Sequence, residues 1–166
     1  MRASPCCLAD GMQRTYTVRA IGTVSCSRSE PVDDDWDSET TEILLDAAVL
    51  GANASSGLAD FSHIEVIYVF DRVDDDAIVS DARRPRGNPD WPVVGILAQR
   101  GKNRPNRIGA TICEVVTVNG GSIVVKGLDA IDGTPVIDIK PVMSGFLPRT
   151  DVVEPTWAKE IMEGYW

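Results

Sequence analysis

The sequence predicts a mainly β protein, a small barrel of antiparallel or mixed strands with a few short helices and a C-terminal helix. Three observations carry that expectation. β-branched residues gather in many short runs divided by turn signals, the pattern of a pleated, half-buried surface. Asn119-Gly120-Gly121 separates two of these runs, and Asn and Gly tolerate the positive φ of a tight hairpin. Only Thr156–Gly164 (TWAKEIMEG), with Glu154-Pro155 ahead of it, reads as a helix. No repeat of solenoid length interrupts the pattern.

Residues 1–14 are expected to form a disordered tail, with Met12 an alternative start, and residues 15–166 one barrel domain. Thr15–Val24 alternates loosely around Val18, Ile21 and Val24, as an edge or barrel strand does. Glu30–Thr41 is an acidic loop holding Pro31, Asp33-Asp34-Asp35 and Trp36. A lone Trp in such a run suggests a loop folded onto something. Glu42–Leu50 reads as a strand or a helical turn, and Ala52–Gly57 as a linker. Ile64–Val73 (IEVIYVFDRV) is a strongly apolar strand ended by Asp74-Asp75-Asp76. A polar loop with Pro85, Gly87, Pro89 and Pro92 then leads to a short strand, Val93–Ala98. Ile108–Val118 and Ser122–Lys126 flank the hairpin signal, and Pro135–Val142 follows the Asp132-Gly133 turn.

At 166 residues and 43% hydrophobic, the chain is one domain long and can bury roughly 70% of its unfolded surface. It needs no disulfide or metal staple. Its cysteines, at positions 6, 7, 26 and 113, form neither a disulfide ladder nor a C-x-x-C knuckle. No run reaches the length of a membrane span, and the first residues lack the apolar core of a signal peptide. A cytoplasmic protein without a membrane partner is expected. The net charge of −9 argues against coating nucleic acid by bulk electrostatics. Yet Arg83–Arg107 holds seven basic residues against one acid, Asp90, and this basic island is a candidate anion site or a solvated loop.

The chain has no G-x-G-x-x-G, Walker loop or G-x-S-x-G elbow. One histidine, His63, excludes a multi-histidine metal site, so no metal is expected. Two segments stand out. Gly95–Gly109 (GILAQRGKNRPNRIG) exposes guanidinium groups, amides and backbone N–H groups together, which suits planar ligands carrying carboxylate or phosphate. Lys126–Lys140 (KGLDAIDGTPVIDIK) places Asp129 and Asp132 at a strand end, where a carboxylate can accept from ribose hydroxyls or an amine. Taken separately, each also reads as an ordinary turn.

Together they resemble a known family. Ala20-Ile21-Gly22, Leu58–Phe70 (LADFSHIEVIYVF), Arg100–Gly109 (RGKNRPNRIG) and Gly127–Pro141 (GLDAIDGTPVIDIKP) occur in order and resemble the TsaA-like family. This family is also called YaeB- or VirR-like and includes TrmO-type S-adenosylmethionine-dependent methyltransferases. The resemblance implies a β-barrel that binds S-adenosylmethionine without a Rossmann fold, as a homodimer with the cofactor near the interface. It also implies cofactor contacts at Arg100 and at Gly127, Leu128 and Asp129, with Phe70, Asp71 and Arg72 bordering the same site. Three departures stand out. Arg107 follows Asn106 where TrmO-type loops have Pro, Val142 follows Pro141 where they have Tyr, and the extra C-terminal domain of the bacterial form is not expected here. The chain is therefore similar to the shorter, VirR-like branch.

Methyl transfer from a sulfonium is an in-line displacement, so the protein mainly aligns donor and acceptor. In that scheme Arg100 clamps the methionine carboxylate and Asp129 holds the amine or a ribose hydroxyl. Arg104, Asn106 and Arg107 face the acceptor, and His63 or Asp132 is the candidate base. The acceptor implied is threonylcarbamoyl-adenosine in tRNA. A small molecule with an amine, amide or imidazole is the rival, and a non-catalytic S-adenosylmethionine-binding regulator is the alternative of another class.

Overall fold

The protein was described from a computed structural model covering residues 14–166. The expected tail therefore lies outside the described residues except for Arg14. Six strands close a barrel: β1 (Gly22–Ser25), β2 (Thr40–Leu45), β3 (His63–Val69), β6 (Ile108–Asn119), β7 (Ser122–Lys126) and β8 (Pro135–Pro141). Their order around the barrel is β1-β2-β7-β6-β3-β8, and every pairing is antiparallel. Two short strands, β4 (Ala82–Arg83) and β5 (Val94–Gly95), pair outside it.

Alternation explains the core. On β3 the inward set is Ile64, Val66 and Tyr68, and all three are buried. They meet Val24, Ile43, Cys113, Ile123, Val125, Leu128 and Val136 from the other strands. Two β-bulges interrupt the ladder, between Val115 and Thr117 on β6 and opposite Ile67 and Tyr68 on β3. Such bulges bend strands and sharpen their twist, which helps a six-stranded sheet close. Gly22 permits a close approach, since a Cβ there would stand 2.6 Å from the Leu44 carbonyl oxygen.

The hairpin signal holds: β6 and β7 pair Asn119 with Ser122, with Gly120 at φ 62° between them. Several expected boundaries shift. The Thr15–Val24 strand shrinks to Gly22–Ser25, because Tyr16 and Val18 find nothing to bury against and stay exposed. The apolar run from Ile64 ends at Val69, where Asp71 N–H turns back to the Val69 carbonyl. Val93–Ala98 is a two-residue strand followed by a 3₁₀ turn at Ile96–Ala98. The Ala52–Gly57 linker is a packed turn, whose buried Ser55 hydroxyl donates to the Gly120 carbonyl at 2.7 Å. The helix, α1 (Thr156–Glu160), stops early. Residues 164–165 instead pair with the acidic loop, through Asp35 N–H to the Gly164 carbonyl and Trp36 N–H to the Tyr165 carbonyl, each at 3.0 Å. Among the described residues, no helix is long and apolar enough to cross a membrane.

Candidate functional site

Where β3 ends and β6 begins, a cavity of about 400 Å³ opens beside Tyr68, Phe70, Arg100, Arg104, Asn106 and Asp129. Leu97, Pro105 and Ile108 complete its apolar wall. Small-molecule pockets span roughly 300–1,000 Å³, so the volume suits a ligand of nucleoside size.

Asp129 is its most heavily bonded side chain. It follows the Gly127 turn, at φ 74°, and Leu128, which is wholly buried and pins that turn into the core. Oδ1 of Asp129 accepts from the Tyr68 hydroxyl at 2.7 Å and from the Thr111 hydroxyl, while Oδ2 accepts from the Tyr165 hydroxyl. The Tyr68 hydroxyl also reaches the Asp129 carbonyl at 3.1 Å. Burial first, and the Asp129 charge second, push both tyrosine hydroxyls far above their ordinary range. They therefore stay protonated and can donate to Asp129, and hydrogen bonds to a carboxylate are the strong kind. The same causes push the buried Cys113 thiol up to about 12.

Two aromatic rings line one side. Tyr68 and Phe70 stand edge to face, with centroids 5.3 Å apart at 77°. Tyr68 can lie flat over β6 because its register partner is Gly109.

The Arg-rich loop is braced from beneath. Gln99, buried, donates to the carbonyls of Arg83 and Val94 at 3.0 and 3.1 Å. Asn103 Nδ2 donates to the Ala77 carbonyl at 3.0 Å. Arg104 donates to the Gln99 carbonyl at 3.2 Å and Arg100 to the Ala110 carbonyl. Arg107 takes a left-handed backbone, φ 52°, and turns away to the Val73 carbonyl at 2.6 Å and Asp75 at 3.0 Å.

Of the residues expected at the site, the cavity thus unites Phe70, Arg100, Arg104, Asn106 and Asp129. The others stand elsewhere. His63 is exposed at the far end of β3 beside Ser62, about 17 Å from Tyr68 by strand rise. Asp132 is exposed and accepts from Cys26 N–H at 3.2 Å. Arg72 staples two loops through the carbonyls of Ser29 and Asp132, at 3.1 and 2.7 Å, and Asp71 is exposed beside it. Leu128 faces the core, so only its main chain can serve a ligand. Gly127 lies near Trp166 and Asp37 rather than in the cavity wall. Arg107 is directed to Asp75.

Sequence reasoning missed Tyr68, Thr111 and Tyr165. A threonine on the inward register of β6 was the available signal, since a buried hydroxyl requires a partner. Nothing local marks Tyr165.

The basic island is partly neutralised. Arg86 pairs with Asp34 at 2.9 Å, and Lys102 with Asp33 at 3.7 Å. Arg84, Arg100 and Arg104 bond instead to main-chain carbonyls.

Comparison with known proteins places the fold. The family described as the tRNA-methyltransferase O N-terminal domain matches residues 27–151. The human tRNA (adenine(37)-N6)-methyltransferase is 36% identical over 99 residues, covering 60% of this chain and 22% of that protein. The probable S-adenosyl-L-methionine-binding protein VirR of Rhizobium radiobacter is 40% identical over 102 residues, covering 61% and 55%. The Escherichia coli tRNA (adenine(37)-N6)-methyltransferase is 37% identical over 112 residues, covering 64% and 46%. The chain thus spans between about a fifth and about half of these relatives. The crystal structure of TrmO from Pseudomonas aeruginosa shares the fold, with TM-score 0.71 at 22% identity, over 89% of this chain and 64% of that one.

Proposed function

The chain belongs to the tRNA-methyltransferase O N-terminal domain family, and from that premise we propose that it is an S-adenosylmethionine-dependent methyltransferase acting on tRNA. Its acceptor in this reading is an adenosine nitrogen, with threonylcarbamoyl-adenosine as the specific form, and it works as a homodimer.

The observation that carries the reading is the pairing of Arg100 and Asp129 across one aromatic-walled cavity. S-adenosylmethionine bears a carboxylate, an amine and a sulfonium, and supplies an electrophilic methyl group when bound. Arg100, held among the described residues by one main-chain carbonyl, offers a two-pronged donor for the carboxylate. Asp129 offers an anion to the amine or a ribose hydroxyl. Phe70 and Tyr68 give the cavity wall aromatic character, which suits a ligand carrying a cation. Leu97, Pro105 and Ile108 give one side an apolar surface, and in this reading Arg104 and Asn106 face the acceptor. The lining holds one carboxylate, Asp129, and no histidine, which agrees with chemistry done mainly by alignment.

The test incubates the protein with methyl-labelled S-adenosylmethionine and tRNA carrying or lacking the threonylcarbamoyl group. Label confined to the carrying tRNA supports the reading. Label in neither, with label in small molecules of a host extract, replaces it with the second one.

That second reading, a methyltransferase of a small amine, amide or imidazole, is favoured by one observation. Asp33 and Asp34 already occupy Lys102 and Arg86, which leaves fewer cations for phosphates. A salt titration of tRNA binding separates the two, since each phosphate contact steepens the loss of affinity with salt.

A further inference from the structure

The segment around Tyr165 lies beyond the residues matched by the family, 27–151, yet it reaches the centre of the cavity's polar cluster. Main-chain bonds from Asp35 and Trp36 to residues 164 and 165 clamp it there. Three left-handed residues, Asp35, Arg86 and Gly164, shape the junction at φ 61°, 48° and 74°. Asp and Arg adopt that conformation rarely, and it persists only where surrounding contacts impose it. Arg86, ion-paired to Asp34, sits 5.9 Å from the Tyr165 ring. Trp36 beneath the clamp is buried under the Arg28 guanidinium at 3.9 Å.

The clamp aims one hydroxyl at one oxygen. Tyr68 and Thr111 both donate to Oδ1 of Asp129, and among the described residues Tyr165 alone donates to Oδ2. With Oδ1 held from one side, the carboxylate plane is still free to swing about its last torsion, which is broad for such groups. The Tyr165 hydroxyl removes that freedom. A carboxylate offers about four acceptor sites, so the three hydroxyls leave a remaining one for a ligand.

We propose that Tyr165 is a positioning residue of the cofactor site, orienting the Asp129 carboxylate so that its remaining acceptor direction meets the amine or a ribose hydroxyl of S-adenosylmethionine. The inference rests on reading the cavity as the S-adenosylmethionine site. It makes the strap formed by Asp35, Trp36 and residues 164–165 part of that site, although the strap itself does not line the cavity.

The test is calorimetric titration of S-adenosylmethionine into the full chain, as wild type, Tyr165→Phe, Asp129→Asn and the double variant. Phe keeps the ring, and the main-chain clamp is untouched, so the strap docks in each variant. A thermal melt verifies this. Loss of one bond to a charged acceptor predicts about tenfold weaker binding for Tyr165→Phe. In the Asp129→Asn background the same change should cost little further, because both act through one group. Equal losses in both backgrounds would mean Tyr165 acts independently of Asp129, and overturn the proposal. So would wild-type affinity in Tyr165→Phe. Wild type that fails to bind S-adenosylmethionine refutes the methyltransferase reading itself, a result distinct from either.

Discussion

Tyr68 lies across Gly109, its register partner on the neighbouring strand, so closely that a Cβ on Gly109 would stand 2.4 Å from two ring carbons. The absence of one methyl group on β6 therefore decides where a hydroxyl on β3 points. Gly109→Ala must displace the ring, and overpacking of this kind costs about 1–3 kcal/mol. Urea unfolding should register that loss, and binding of S-adenosylmethionine should weaken with it.

Tyr68→Phe keeps the ring and removes the hydroxyl that bonds the Asp129 side chain and carbonyl. Asp129 retains Thr111 and Tyr165, so the loss should be about 1–3 kcal/mol rather than a failure to fold. Thermal denaturation of the variant measures it.

Arg100→Ala should separate binding from stability. The residue is exposed, and among the described residues its guanidinium bonds only the Ala110 carbonyl. The melting temperature should stay close to wild type while affinity for S-adenosylmethionine falls by tenfold or more, the scale of a lost charged hydrogen bond. Arg100→Lys should recover only part of it, since an ammonium lacks the fork.

His63→Gln should leave methyl transfer within about twofold, because His63 stands at the opposite end of β3, five strand residues from Tyr68. A large loss of turnover at unchanged stability would return His63 to the reaction.

Alkaline pH should unfold the protein earlier than its composition suggests. Cys113 ionises near 9.0 when free and is pushed up to about 12 by burial and by Asp129. Between those values the unfolded chain has released a proton that the native state keeps, so stability falls as pH rises, by about 1.4 kcal/mol per unit. Tyr68 and Tyr165 add to the slope above pH 10, their hydroxyls being raised in the same direction. Cys113→Val should flatten the first part of the decline in pH-dependent urea melts.

These predictions draw on features of unequal legibility in the sequence. The β3 alternation, the Asn119-Gly120-Gly121 hairpin and the Pro135 run were readable because each is a short-range pattern. Trp36 in its acidic run already pointed to a folded loop, and the ring is buried. Arg100 and Asp129 stood out by residue type and both line the cavity. Val93–Ala98 misled because pairing outside the barrel, not β propensity, set its length. Tyr165 was invisible for a similar reason. Its position follows from main-chain bonds to residues about 130 positions earlier, and no local periodicity encodes such a meeting.

The barrel closes where β1 meets β8, with Gly22 opposite Val136. Every wall of the cavity depends on that distant seam or on other non-local pairings, such as Tyr68 with Gly109. Folding must meet the loop-closure entropy of these contacts before they repay it, which places the chain among domains that fold in milliseconds to seconds. The cluster around Asp129 then has no counterpart in a half-formed barrel. A stopped-flow refolding experiment should show the cluster's tyrosine environment arriving with the final phase, and a ligand added at the start should not speed it.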